Sequence, residues 1–219
     1  MKYLIFSVCI LLLACNQTPQ VQTGPDAEKD EHGLTKVDYS GFDKAFVDAK
    51  AKLANYKSFM FAPLDLSNIE IIQPDNRVGL NSEWKFTEKD AQQWSDAYMK
   101  AVEEVFGKKL PIANSPGPGV ALVKSQITRF APNAPKYDSI DRGARDKIYS
   151  RTSGNMTIET QFIDSQANNL LANITDNRDL GNDTTMRQAT YGQFGMDLRN
   201  AFYSWARNLG DRLSKAAIE

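Results

Sequence analysis

Residues 155–178 read "NMTIETQFIDSQANNLLANITDNR", and the fold class turns on them. Met156, Ile158, Thr160 and Phe162 alternate with Thr157, Glu159 and Gln161, the period of two that sends one set to a buried face and the other to solvent. "DSQANN" is rich in turn formers and "LLANITDNR" follows it, so the segment predicts an antiparallel hairpin. Just upstream, "SPGPGVALVKSQITRF" (115–130) opens on a Pro/Gly turn and runs into another strand. Ala121, Val123, Ser125 and Ile127 share one face of it, and Lys124, Gln126 and Thr128 the other. "KSFMFAPLDL" (57–66) is apolar and aromatic, as suits a buried strand closed near Pro63.

Helical spacing appears in two places. Thr87-x-x-Asp90 is a helix start, after which Ala91, Trp94, Tyr98, Ala101, Val102 and Val105 hold one face until Gly107. From about Thr190 to Ala217, Phe194, Leu198, Ala201, Phe202, Trp205, Leu209 and Leu213 form an inward stripe. Gly195 and Gly210 each cost this helix about 1 kcal/mol relative to Ala, for which close backbone packing is a reason. Trp94, Tyr98 and Trp205 are expected in the core. Residues 41–53 leave two readings open, since Phe42, Ala45, Phe46, Ala49 and Leu53 suit a helix while "FVDAKAKL" also suits extended chain. The order strand, helix, three strands, helix makes the fold class α+β: a two-layer sandwich, its mostly antiparallel sheet covered by two main helices.

The start of the chain speaks to location. Lys2 precedes twelve mostly apolar residues, Tyr3 to Ala14. As a helix they span roughly 18 Å against about 30 Å of bilayer hydrocarbon, so a cleaved export signal fits better than a membrane span. Residues 1–14 are therefore read as a lipoprotein signal peptide. Leu12-Leu13-Ala14-Cys15 is similar to the bacterial lipobox, which implies cleavage after Ala14, a diacylglycerol thioether on Cys15 and an acylated (palmitate-type) amino terminus. Three chains at about 0.8 kcal/mol per buried CH₂ would hold the protein to its membrane firmly. Asn16 after the cysteine implies, by the same resemblance, the periplasmic face of the outer membrane. Residues 15–33 have Val21 as their sole large aliphatic residue and predict a flexible tether of about 24 Å reach, with a single periplasmic domain over 34–219.

Composition narrows the chemistry. With Cys9 lost in the leader, Cys15 has no partner for a disulfide or a thiolate metal cluster. The full chain has 26 basic and 27 acidic residues, and removing Lys2 leaves 25 against 27; so balanced a charge gives no electrostatic case for nucleic acid. His32, the only histidine, lies in the tether, far from any catalytic triad or histidine metal site. "PGPG" lacks the Lys-Ser/Thr of a phosphate loop. "DNRDLGNDTT" (176–185) offers Asp176, Asp179 and Asp183, but without calcium-loop spacing and with Arg187 where the closing glutamate would fall, so a solvated loop is expected. No catalytic residue, metal or cofactor is assigned.

The stretch 131–154, "APNAPKYDSIDRGARDKIYSRTSG", is a long connection between strands, and such connections are often functional. Tyr137, Arg142, Arg145, Lys147, Tyr149 and Arg151 make it a candidate partner surface.

"FVDAKAKLANYKSFMFAPLDL", "NSPGPGVALVKSQITRFAPNAP", the hairpin and the closing helix together resemble a family of bacterial lipoproteins catalogued as a domain of unknown function, over most of residues 40–217. The resemblance brings no catalytic residue. The expectation is a non-catalytic, outer-membrane-anchored module that binds another envelope protein. Two alternatives stand beside it. A carrier of lipid or another small ligand needs an apolar cavity between sheet and helices, and a carboxylate hydrolase needs Glu159, Asp164 and Asp176 to converge.

Overall fold

The computed structural model describes residues 18–51, 53–74, 84–134, 136 and 148–216. In chain order the strands are β1 (Gln20–Val21), β2 (Thr35–Asp38), β3 (Lys44–Val47), β4 (Ser58–Phe61), β5 (Glu70–Ile71), β6 (Val120–Pro132), β7 (Tyr149–Ser150), β8 (Gly154–Asp164), β9 (Leu170–Leu180) and β10 (Arg187–Gln188). The helices are α1 (Glu88–Ala101) and α2 (Tyr191–Ala216). The architecture is mixed α+β, a large and mostly antiparallel sheet with two helices, as the alternation and the helical stripes predict.

The hairpin forms as β8 and β9, antiparallel in register from Gly154↔Leu180 to Ile163↔Leu170. Asp164 organises its turn: Oδ1 accepts the backbone N–H of Gln166 at 2.8 Å and of Ala167 at 2.7 Å, and Asn168 takes φ +58, which asparagine tolerates better than most residues. The main sheet runs β1-β2-β3-β9-β8-β6-β4, with β5 also on β6, while β7 and β10 form a separate pair. Pairing aligns rows across the sheet, such as Val123–Phe162–Ala172–Val47 and Ser125–Thr160–Ile174–Ala45. These rows face the helices. A bulge at Thr128, where the register shifts between Ile127 and Arg129, changes the phase of β6 so that Phe130 joins Ile127 in the core. The opposite face carries Lys124, Gln126, Glu159, Gln161 and Thr175 and is polar, the one-sided pattern of an antiparallel sheet.

Helix α1 starts where Thr87 predicted it. The Thr87 hydroxyl accepts from Asp90 N–H at 3.3 Å, and Asp90 Oδ2 accepts from Thr87 N–H at 2.7 Å, a reciprocal cap. A π-helical turn, Val102–Phe106, prolongs the helix, and at Gly107 a Cβ would lie 2.7 Å from Glu103 O. Helices α1 and α2 meet through Tyr98 and Trp205, ring centroids 5.4 Å apart, both buried as expected. Within that core the Tyr98 hydroxyl donates to Ser125 Oγ at 3.1 Å, and Ser125 Oγ shares a 3.0 Å hydrogen bond with Thr160 Oγ1. Burial holds the Tyr98 phenol well above its ordinary value.

Several expectations are corrected. Residues 41–51 form no helix: the extended alternative is realised in β3, with a single 3₁₀ turn later at Leu53–Asn55, because pairing with β9 satisfies this backbone. The described part of the expected tether is not free chain. β1 pairs with Val37 and Asp38 of β2, Gln22 Nε2 donates to Asp38 Oδ1 at 3.0 Å, and Lys36 Nζ donates to Glu28 at 2.9 Å. Hydrogen bonding docks this apolar-poor segment, a contribution that hydrophobic content does not register. β4 runs parallel to β6, as the β4–α1–β6 crossover requires. Residues 176–180 belong to β9 rather than to a solvated loop, and Asp176 is buried. The close backbone packing expected at the two helix glycines is absent: at Gly210 a Cβ would lie 2.9 Å from Lys109 Cδ, a side-chain atom, and Gly195 has open space around it.

Candidate functional site

Where β3, β9 and the last turns of α2 meet, the two layers do not close, and a cavity of about 130 Å³ remains. Its walls come from alternate residues of the sheet's helix-facing side, Ala45 and Val47 of β3 and Ala172 and Ile174 of β9, and from Leu209 and Leu213 of α2. The two alanines make the space. At these positions the sheet presents small side chains, whereas Phe162 of β8, paired with Ala172, and Phe59 of β4 are large, so the helix stripe is met less deeply at β3 and β9.

Polar groups stand at the cavity's rim. Tyr56 donates to Asp164 Oδ2 at 2.7 Å; burial, with this hydrogen bond, pushes its phenol up to about 12. Asp164 lies below its ordinary value because the Ala167 N–H, with Tyr56 and Gln166, stabilises its charge. Arg212 of α2 is the charged residue in the lining. Its guanidinium lies over Gly41, whose φ of +80 suits glycine and whose Cβ, if present, would lie 2.6 Å from Arg212 Nε. Asn208, one turn earlier, ties the same β2–β3 turn down by donating to Gly41 O at 3.0 Å. Pro19, immediately before β1, closes part of the lining from the N-terminal side.

The carboxylates weighed for hydrolysis are held apart. Asp164 sits at the hairpin turn, whereas Asp176 pairs across from Ile158, six residues along, or roughly 20 Å at strand rise. Asp176 is raised by burial, although Arg178 Nε donates to it at 2.5 Å and opposes the shift. Glu159 accepts from Gln126 Nε2 at 2.9 Å on the opposite, polar face. Sequence separation across a hairpin could not show this, because the register decides it.

Of the candidate partner surface, Tyr137, Arg142, Arg145 and Lys147 lie outside the described residues, as does Cys15. Tyr149 on β7 is 54% exposed, and Arg151 is exposed beside it. Met186 (65%) precedes β10, which pairs with β7, and Met196 (45%) is beside Asp197, which Arg187 of β10 contacts at 3.2 Å. An exposed Tyr and an exposed Met thus lie on and beside the β7–β10 pair, and a second exposed Met is on α2, which Arg187 of that pair contacts. Sequence periodicity does not reveal this group, since Met196 lies on the solvent side of an amphipathic helix and Met186 between elements. A second unforeseen cluster joins Asp90, Lys136 and Tyr191. Lys136 pairs with Asp90 and sits 5.2 Å from the Trp84 ring centroid, and Tyr191 OH donates to Asp90 Oδ1 at 3.0 Å. Burial would raise Asp90, but the hydrogen bonds from Lys136, Thr87 and Tyr191 outweigh it and leave the carboxyl below its ordinary value.

Among the described residues no group of His, Cys, Asp or Glu is placed to hold a metal ion, and no helix is long and apolar enough to cross a membrane. An α+β body with an apolar recess beside its N-terminal strand defines the class. The chain belongs to the family described as protein of unknown function (DUF3313), whose model matches residues 29–209. No curated protein matches it in sequence. Among solved structures, a Xanthomonas campestris protein of family DUF330 is similar at 11% identity and TM-score 0.41, over 70% of this chain and 82% of that one. A PelC dodecamer subunit from Paraburkholderia phytofirmans is similar at 9% identity and TM-score 0.35, over 75% and 96%. A putative neuraminyllactose-binding hemagglutinin homolog from Helicobacter pylori is similar at 11% identity and TM-score 0.36, over 78% and 90%. Likeness at this level carries no functional information.

Proposed function

We propose that this protein is an envelope lipoprotein, anchored through Cys15 at the periplasmic face of the outer membrane, that holds a small apolar ligand without transforming it. The cavity between β3, β9 and α2 carries this reading, because a carrier needs an apolar space between the layers. Its volume is comparable to the roughly 150 Å³ engineered cavity that stays dry and admits benzene. Separation of Glu159, Asp164 and Asp176 favours binding over carboxylate hydrolysis. Cys15 is four residues before Pro19, at most about 14 Å of extended chain, so β1 would keep the recess near the anchored end.

Benzene is a direct probe. It is expected to raise the melting temperature of the full chain carrying Cys15→Ser, by mass action on the folded state, and Ala172→Leu is expected to abolish that rise by filling the recess. A melting temperature that does not respond to benzene would remove the carrier reading. The anchor is tested separately: radioactive palmitate should label the wild type and not Cys15→Ser, and a variant that still labels at its amino terminus would refute the lipid attachment.

A second reading, docking of an envelope protein, is favoured by the exposed Tyr149, Met186 and Met196, since Tyr and Met are enriched at interfaces. Photocrosslinking probes at Tyr149 and Met186 test it in intact cells. Partners captured from another face, with none at these two positions, would reject it.

A further inference from the structure

We infer that the cavity takes a medium-chain carboxylate, its chain among the alanines and leucines and its carboxylate on the Arg212 guanidinium; this rests on the cavity being a ligand site, as proposed above. Size sets the chain. A space of about 130 Å³, beside the one of roughly 150 Å³ that holds the six carbons of benzene, accommodates roughly six to eight carbons. A longer chain would leave its remainder in water or force the layers apart.

Charge sets the head. Apart from Arg212, the lining consists of apolar side chains with Ser40, Tyr56 and the lip residue Pro19. Ser40 is committed to the β2–β3 turn, where its hydroxyl donates to Phe42 O at 3.3 Å, and Tyr56 is committed to Asp164. Arg212 differs. Its Nε makes only a long 3.5 Å hydrogen bond to Asn208 Oδ1, and no carboxylate of a described residue forms an ion pair with it. By contrast Arg178 and Arg187, similarly half-buried, are each paired with aspartate. The absent side chain at Gly41 leaves room for the Arg212 fork, and the Asn208 bond to Gly41 O holds the turn beside it. A planar guanidinium at the edge of an apolar recess matches a carboxylate bidentately while the chain points inward. An alcohol of equal length would satisfy the recess but not the fork, and an amine would be repelled.

Isothermal titration calorimetry at neutral pH, on the full chain carrying Cys15→Ser, separates these terms. Octanoate is expected to bind at least about tenfold more tightly than octanol, and Arg212→Gln to erase that difference, octanoate and octanol then binding alike in the variant. Hexadecanoate is expected to bind no better than octanoate. Equal binding of octanoate and octanol, octanoate binding unchanged in Arg212→Gln, or tighter binding of hexadecanoate would each overturn the assignment. In those cases the response to benzene would still stand. If benzene, octanol and octanoate all fail to bind, the ligand site and this inference fall together.

Discussion

Ser125 looks like a polar fault in an otherwise apolar stripe of β6. It is the hub of a buried relay, accepting from Tyr98 and bonded to Thr160, so that three hydroxyls satisfy one another between sheet and helix. Ser125→Ala should destabilise the protein by about 1–3 kcal/mol, because the Tyr98 hydroxyl is left buried without its partner. Urea denaturation would measure the loss. Tyr98→Phe combined with Ser125→Ala should cost less than the sum of the single changes, since the orphaned donor is gone. Alternation in the sequence placed Ser125 inward correctly; the partners were not legible, because one is on a helix and the other 35 residues away. Arg212 is a similar case. Its helical position was plain, but its packing over Gly41, with no ion-pair partner among the described residues, depends on the distant β2–β3 turn.

The N-terminus of α1 shows how much an element can reveal of itself. Thr87-x-x-Asp90 is a local signal, and the reciprocal cap it predicts is present. Thr87→Ala should lower stability by about 1 kcal/mol, measurable as a reduced urea midpoint. Asp90 adds a pH dependence through Lys136 and Tyr191, which no local pattern announces. Its folded-state pKa is depressed, so the stability it contributes is fully present above the unfolded value of 3.8 and is lost as pH falls through the lower, folded value. Thermal melts of wild type and Asp90→Asn should therefore differ most at neutral pH and converge in acid below 3.8. A gap that is constant across this range would show that the charge of Asp90 is not what stabilises the helix start. At residues 41–53, by contrast, helical and extended spacing competed on equal terms, and pairing with β9 decided between them.

For the whole molecule, the N-terminal segment has the largest consequence. Low hydrophobic content marked residues 16–33 as tether, yet Gln20–Val21 pairs with β2 and Pro19 reaches the cavity. Deleting residues 18–22 removes one lip of the recess and a two-residue edge strand, while β3, β9, β8 and β6 keep their pairing. The melting temperature should fall only slightly, whereas the benzene-induced rise should shrink markedly. A benzene response of wild-type size would mean that Pro19 contributes nothing to the site.

The sequence by itself determined the α+β class, the hairpin, the inward faces of β6, β8 and α2, and the start of α1. Each rests on a period or a cap within a few residues, where local geometry dictates the outcome. Tertiary structure alone decided the order of strands in the sheet, the docking of β1, the separation of Asp164 from Asp176 and the recess beside Arg212. These depend on which distant segments face each other, and a cavity is the space such segments leave unfilled, a property that no single stretch of chain possesses.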